Sequence, residues 1–199
     1  MIRCGWCESN EKMIAYHDEE WGVPLYDDQK QFEFLMLEVM QCGLNWNMMI
    51  AKREIFRACF DGFDYTKVAA YGEDDILRIF AYPGMIRSRR KIEAVIHNAR
   101  CFQAVREAFG TFSAYLWGFS GGKTLVYPQH QTAPVARNAL SDEVSRDLKK
   151  RGVSTAQRQG TATPGRVPSA VLYRRRCLSR SRKSAPDTRS SIDTPEEVC

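Results

Sequence analysis

The chain has 199 residues, 44% hydrophobic and 27% charged, with a net charge of +5. That balance excludes collagen-like, coiled-coil and wholly disordered chains. Even the run FLMLEVM at 34–40 stops at seven residues, against the roughly 18 a membrane helix needs.

The first residues, MIRCGWCESNEK, lack the apolar stretch of a secretory signal. Seven cysteines, an odd number without regular spacing, read as thiols of a reducing cytoplasm rather than a disulfide framework. The excess charge is local. Residues 1–152 carry 20 basic and 20 acidic side chains, and residues 153–199 carry nine and four. The whole surplus sits in the last quarter, so net charge alone gives little support to a nucleic-acid partner.

The elements up to Gly152 read as helices. Residues 30–42 place Phe32, Leu35, Met36, Val39 and Met40 at helical spacing, with Phe34 and Leu37 elsewhere on the surface, so this helix is expected to be buried nearly all round. One helix is predicted over 48–60, ended by Asp61-Gly62. Short helices follow over Thr66–Tyr71 and from Asp74 through Phe80. Tyr82-Pro83-Gly84 is a turn. Ser88 to about Phe109 carries an apolar stripe of Ile92, Val95, Ile96, Ala99 and Phe102, closed by Gly110. Phe112–Phe119 is helical and 121–134 a loop. Ser141 is the expected N-cap of a helix through Arg151. No period-2 strand is evident, so the fold class is all-α.

Residues 153–199 contain no Trp, Phe, Met or His, and only seven Val, Leu or Ile. This is too few for a core. A basic disordered tail, an inert linker and the translation of a shifted reading frame are the three readings. The chain therefore divides into a domain at 1–152 and an Arg/Ser/Pro-rich tail at 153–199.

Several residues could carry chemistry. Three of the four tryptophans, Trp6, Trp21 and Trp46, fall in the first 46 residues together with Tyr16. Each alone is ordinary core; together they suit a pocket that stacks a flat base. Glu38 lies in the most apolar helix. It is either paired structurally or placed to hydrogen-bond a polar base edge and stabilise a developing cation. Cys4, Cys7 and His17 are soft metal ligands, but three do not fill a four-ligand site. The run YPGMIRSRRK at 82–91 puts Arg87, Arg89, Arg90 and Lys91 at a helix N-terminus, where like charge is unfavourable unless an anion such as a phosphate is present.

The segments RCGWC (3–7), IAYHDEEWGVP (14–24), FLMLEVMQCGLNW (34–46), KREIFRACFDGFD (52–64) and KIEAVIHNAR (91–100) together resemble the DNA-3-methyladenine glycosylase I family. The resemblance covers about 1–152. It implies a helix-hairpin-helix glycosylase fold and monofunctional hydrolysis of the N-glycosidic bond of 3-methyladenine flipped out of duplex DNA. It assigns base recognition to Glu38, stacking to Tyr16 and Trp46, further pocket walls to Trp6 and Trp21, and the wedge that fills the vacated stack to Gly43 and Leu44. The hairpin falls on Tyr82–Ile86, with Gly84, Arg87, Arg89 and Lys91 on the DNA backbone. Where the family has a further pocket aromatic, this chain has Met13. The family also binds a structural zinc. Cys4 and His17 match its N-terminal ligands, but the later His and Cys are missing, since no histidine follows His130. Zinc binding is therefore expected to be weak or absent, and the break after KKRG favours the shifted frame.

Three functions follow as expectations: an active monomeric cytoplasmic glycosylase, an inactive remnant of one, or a small zinc-binding interaction module.

Overall fold

The computed structural model describes residues 3–125 and 138–154. Among these the elements are helical, with no β-strand. A 3-10 turn at Gly5–Cys7 precedes α1 (Glu11–Glu19), α2 (Asp28–Gln41), α3 (Trp46–Ala51), α4 (Arg53–Cys59), a second 3-10 turn at Asp61–Phe63, α5 (Tyr65–Ala69), α6 (Glu73–Ala81), α7 (Arg89–Phe109), α8 (Phe112–Gly118) and α9 (Ala139–Lys150). None is long and apolar enough to cross a membrane. Most of the expected 121–134 loop, and all of the expected tail except Val153 and Ser154, lie outside the described residues.

Local chemistry sets the helix starts. The side chains of Asn10, Asp27, Asn45, Asp64, Thr111 and Asn138 each accept a backbone N–H from the first turn of the helix they precede, which relieves donors that have no partner inside the helix. The expected cap Ser141 is instead the third residue of α9. Its hydroxyl completes a capping box with Asn138, because Asn138 supplies the earlier acceptor. The single helix expected over 48–60 is two. Lys52, at φ −95° and ψ 4°, leaves helical geometry between α3 and α4, and its ammonium is drawn away to the carbonyl of Gly84.

Helix α2 is buried on nearly every side, as its composition suggests: Phe32, Phe34, Leu35, Met36, Leu37, Val39 and Met40 are all core. The long α7 packs across it. Phe102 stacks on Phe112 at 4.1 Å and meets Phe32 edge-on at 5.1 Å. The carboxylate of Asp28, at the start of α2, accepts from the backbone of Phe112 and Ser113 and from Arg106. One acidic group thus joins α2, α7 and α8. Packing continues to the last described residues. Val153 is buried, and Ser154 exchanges two hydrogen bonds with the fully buried Asn98.

Candidate active site

Four expected pocket residues come together around α1. Tyr16 is buried, with the rings of Trp46, Phe34 and Trp6 at 5.7, 6.2 and 6.4 Å from its own. Trp6 meets Trp21 edge-on at 5.2 Å, and Trp21 stacks on His17 at 5.1 Å. Met13, one turn before Tyr16 on α1, is buried under the same cluster. The 3-10 turn that carries Trp6 is fixed to α1 by Trp6 against His17 and by Arg3 against Asp18. Two hydrogen bonds, from Arg3 and from His17, pull the Asp18 carboxyl down to about 2.

Glu38 follows Phe34 by one turn of α2 and is half-buried among core residues. Its charge acts on Tyr16. Burial is the largest cause holding the Tyr16 phenol far above its ordinary value, and the negative charges of Glu38 and Glu20 add to it. Tyr16 is therefore a neutral hydroxyl at any physiological pH. Trp46 brings its indole N–H into the same cluster. Like the indole N–H of Trp6, it is buried with no acceptor among the described residues. A buried donor without a partner costs on the order of 1–3 kcal/mol, which a ligand carrying ring-nitrogen acceptors would relieve.

Beneath the pocket lies an ionic layer that inspection of the sequence did not single out. Buried Arg53 donates through Nε to Glu33 at 2.6 Å and through both terminal nitrogens to Glu20 at 2.6 and 2.8 Å. Its guanidinium also covers the Phe34 ring at 5.1 Å. Arg57 adds two more bonds to Glu33. Burial pushes the Glu33 carboxyl up, but the hydrogen bonds from Arg53 and Arg57 outweigh it and leave it below 4.5.

The second cluster lies at two turns. Gly43, at φ +79°, is exposed, and Leu44 is half-buried against the core. Gln41 closes this turn, donating its side-chain amide to the carbonyl of Leu44. Between α6 and α7, Gly84 has φ +77°, and a methyl group there would lie 2.8 Å from Ile55 Cδ1. Only glycine fits this turn without strain. Arg87 beside it is exposed.

A family model described as methyladenine glycosylase matches residues 6–158. The chain belongs to that family. It is 42% identical over 153 residues to the DNA-3-methyladenine glycosylase 1 of Escherichia coli K12, which covers 76% of this chain and 82% of that protein. The 3-methyladenine DNA glycosylase I of Staphylococcus aureus, described for its recognition of 3-methyladenine, is 28% identical. It has a TM-score of 0.77 and covers 95% of this chain and 97% of its own. A tyrosine-to-phenylalanine variant of a 3-methyladenine DNA glycosylase I, solved in complex with 3-methyladenine, has a TM-score of 0.76 at 26% identity. It covers 96% of this chain and all of that one.

Two cations expected on the DNA backbone in this methyladenine glycosylase are otherwise engaged. Arg89 is exposed but forked onto Glu73 and bound to Glu93. Lys91 is a correction to the sequence reading: it is 8% exposed, and its ammonium donates to the carbonyls of Met40 and Cys42. It points into the protein because each helical residue turns the side chain by about 100° from the last. Cys4 is half-buried and disulfide-bonded, not the free thiol expected, and its carbonyl accepts from Cys7; His17 Nδ1 is bound to Asp18. Among the described residues no three His, Cys, Asp or Glu side chains form a metal-binding group. Cys177 and Cys199, the two cysteines of the tail, lie outside them.

Proposed function

We propose that this methyladenine glycosylase flips 3-methyladenine out of duplex DNA into the Tyr16–Trp46 pocket and hydrolyses its N-glycosidic bond without cutting the strand. The observation that carries this reading is the half-buried carboxylate of Glu38 in an aromatic nest whose tyrosine stays neutral. Methylation at N3 makes adenine a cation, so its bond to the sugar is already weakened. The C1′–N9 electron pair leaves with the base and neutralises it. Water adds to the C1′ cation and gives its proton to solvent. Glu38 accepts a hydrogen bond from the cationic base and favours the developing positive charge. Tyr16 and Trp46 stack on a cationic ring more strongly than on a neutral one, so unmodified adenine is discriminated against twice, in stacking and in leaving-group strength.

Gly43 and Leu44 fill the stack the base has left. Helices α6 and α7 form the hairpin that approaches the backbone, with Gly84 allowing close contact and Arg87 neutralising a phosphate. The residues present do not fit the family's zinc. Cys4 and His17 would be half a ligand set, but the Cys4 thiol is taken up in a disulfide, and the chain's sequence offers no histidine for the other half. No step runs through the metal. We expect zinc to be held weakly or not at all, and the domain's stability to rest on its packing.

The test is incubation of the full chain with methylated duplex DNA. Free 3-methyladenine should appear while the strands stay intact until alkali is added. Retention of the base, or strand scission without alkali, would refute the reading.

A further inference from the structure

Helix α2 ends between Glu38 and the Gly43-Leu44 turn, and its own last turn has no basic residue. Helix C-termini leave unpaired carbonyls and a partial negative charge. Here the cation comes from a distant helix. Lys91, on α7, donates to the carbonyl of Met40 at 2.6 Å and of Cys42 at 2.8 Å. Burial is the main influence lowering its pKa, so the two carbonyls are the partners that make the inward ammonium tolerable. The same turn is fastened from within: Cys42 Sγ lies 3.7 Å from the carbonyl of Glu38, and Gln41 Nε2 donates to the carbonyl of Leu44 at 2.8 Å. Lys91 lies in the first turn of the helix that follows the Gly84 turn, so one side chain links the backbone-facing hairpin to the turn beside the pocket.

We propose that Lys91 is a positioning residue for base flipping, holding the Gly43-Leu44 turn where it can fill the gap in the duplex. This rests on the glycosylase reading above. It assigns Lys91 neither to the phosphates nor to the base. Two carbonyls two residues apart at the end of α2 are fixed by one ammonium. Losing it frees the turn at a glycine whose φ of +79° already allows wide movement. Glu38 and Tyr16 lie before the clamped carbonyls, and Trp46, which follows the turn, is held by its packing on Tyr16 and the core, so they should keep their geometry.

The test is Lys91→Met, which keeps the stem and removes the charge, compared with the wild-type full chain. Single-turnover excision from a lesion paired with thymine should fall at least tenfold. The loss should shrink to less than threefold when the lesion faces an abasic site, where little stacking has to be replaced. Binding of free 3-methyladenine should stay within about twofold. The salt slope for undamaged duplex should not change, whereas a lost phosphate contact would reduce it by about one. Gln41→Ala, which releases the turn without touching a buried charge, should give the same pattern and keeps the test open if Lys91→Met does not fold. Equal losses on both pairings, a reduced salt slope, or excision as fast as wild type would overturn the assignment. A wild-type chain that releases no base would refute the glycosylase reading itself.

Discussion

Replacing Arg53 with methionine tests whether the ionic layer under the pocket supports the fold. The substitution keeps the apolar stem and removes three charge-assisted hydrogen bonds. These are not equal. The bond to Glu33 is buried on both sides, with side-chain exposures of 9% and 6%, whereas Glu20 is 31% exposed. A buried hydrogen bond to a charge contributes about 1.5–3 kcal/mol, and partly exposed ones are worth about 0.2–1 kcal/mol each. Glu33 keeps Arg57, so it is not left bare, and the total loss is roughly 3 kcal/mol. At about 2–4 °C per kcal/mol for a domain of this size, thermal unfolding followed by circular dichroism should shift down by roughly 6–12 °C. Arg57→Met, at a 38% exposed side chain, should cost about a third as much. The pH dependence has a definite sign. Glu33 is held below 4.5 in the folded state, so its ion pairs stabilise the protein above the unfolded value, and that contribution is lost as pH falls through the folded one. The variant should therefore lose less stability than wild type on acidification below about pH 4.5. A shift under 2 °C, or an unchanged acid limb, would show that the layer is electrostatically idle.

Gly84→Ala puts a methyl group 2.8 Å from Ile55 Cδ1 at φ +77°; it should destabilise by about 1–3 kcal/mol and weaken binding to damaged and undamaged duplex alike, measured by chemical denaturation and fluorescence anisotropy. Arg87→Ala should leave the fold unchanged and lower the salt slope of duplex binding by about one, while Arg89→Ala, already neutralised by Glu73 and Glu93, should change it by clearly less; the reverse order would assign the phosphate to Arg89. Metal analysis after dialysis should find well under one zinc per chain, and a chelator should leave the melting temperature where it was; one tightly held zinc would mean that Cys4 and His17 have recruited new ligands.

What could be read from the sequence followed how far each signal acts. The near-continuous apolar surface of α2 could be read because burial on all sides needs no knowledge of its neighbours. The aromatic pocket was recognisable because its members cluster in the first 46 residues and fall in long motifs. Glu33 shows the limit. It stands five residues before Glu38 in the same apolar run, and nothing local says that Arg53 and Arg57 will reach one of the two carboxylates. The cations at 87–91 read as one patch in sequence, but the start of α7 separates them: Arg87 stays before the helix, Arg89 turns to acidic neighbours, and Lys91 turns to the end of α2. The break at Lys52 was hidden for a related reason. Its side-chain partner, the carbonyl of Gly84, is 32 residues away, while the local pattern from Met48 to Phe60 runs through it as helix.

Single-turnover release of 3-methyladenine by the wild-type chain and by Glu38→Gln, on the same methylated duplex, is the most direct measurement. The substitution keeps the size of the side chain and its hydrogen-bonding capacity and removes only the charge beside Tyr16. A hydrogen bond to a charged group is worth about 1.5–3 kcal/mol against about 0.5–1.5 kcal/mol for a neutral one, so the loss of roughly 1–1.5 kcal/mol should slow release about 5- to 13-fold with the melting temperature preserved. Equal release rates for the two proteins would remove the Glu38 carboxylate from the chemistry and contradict the site described here.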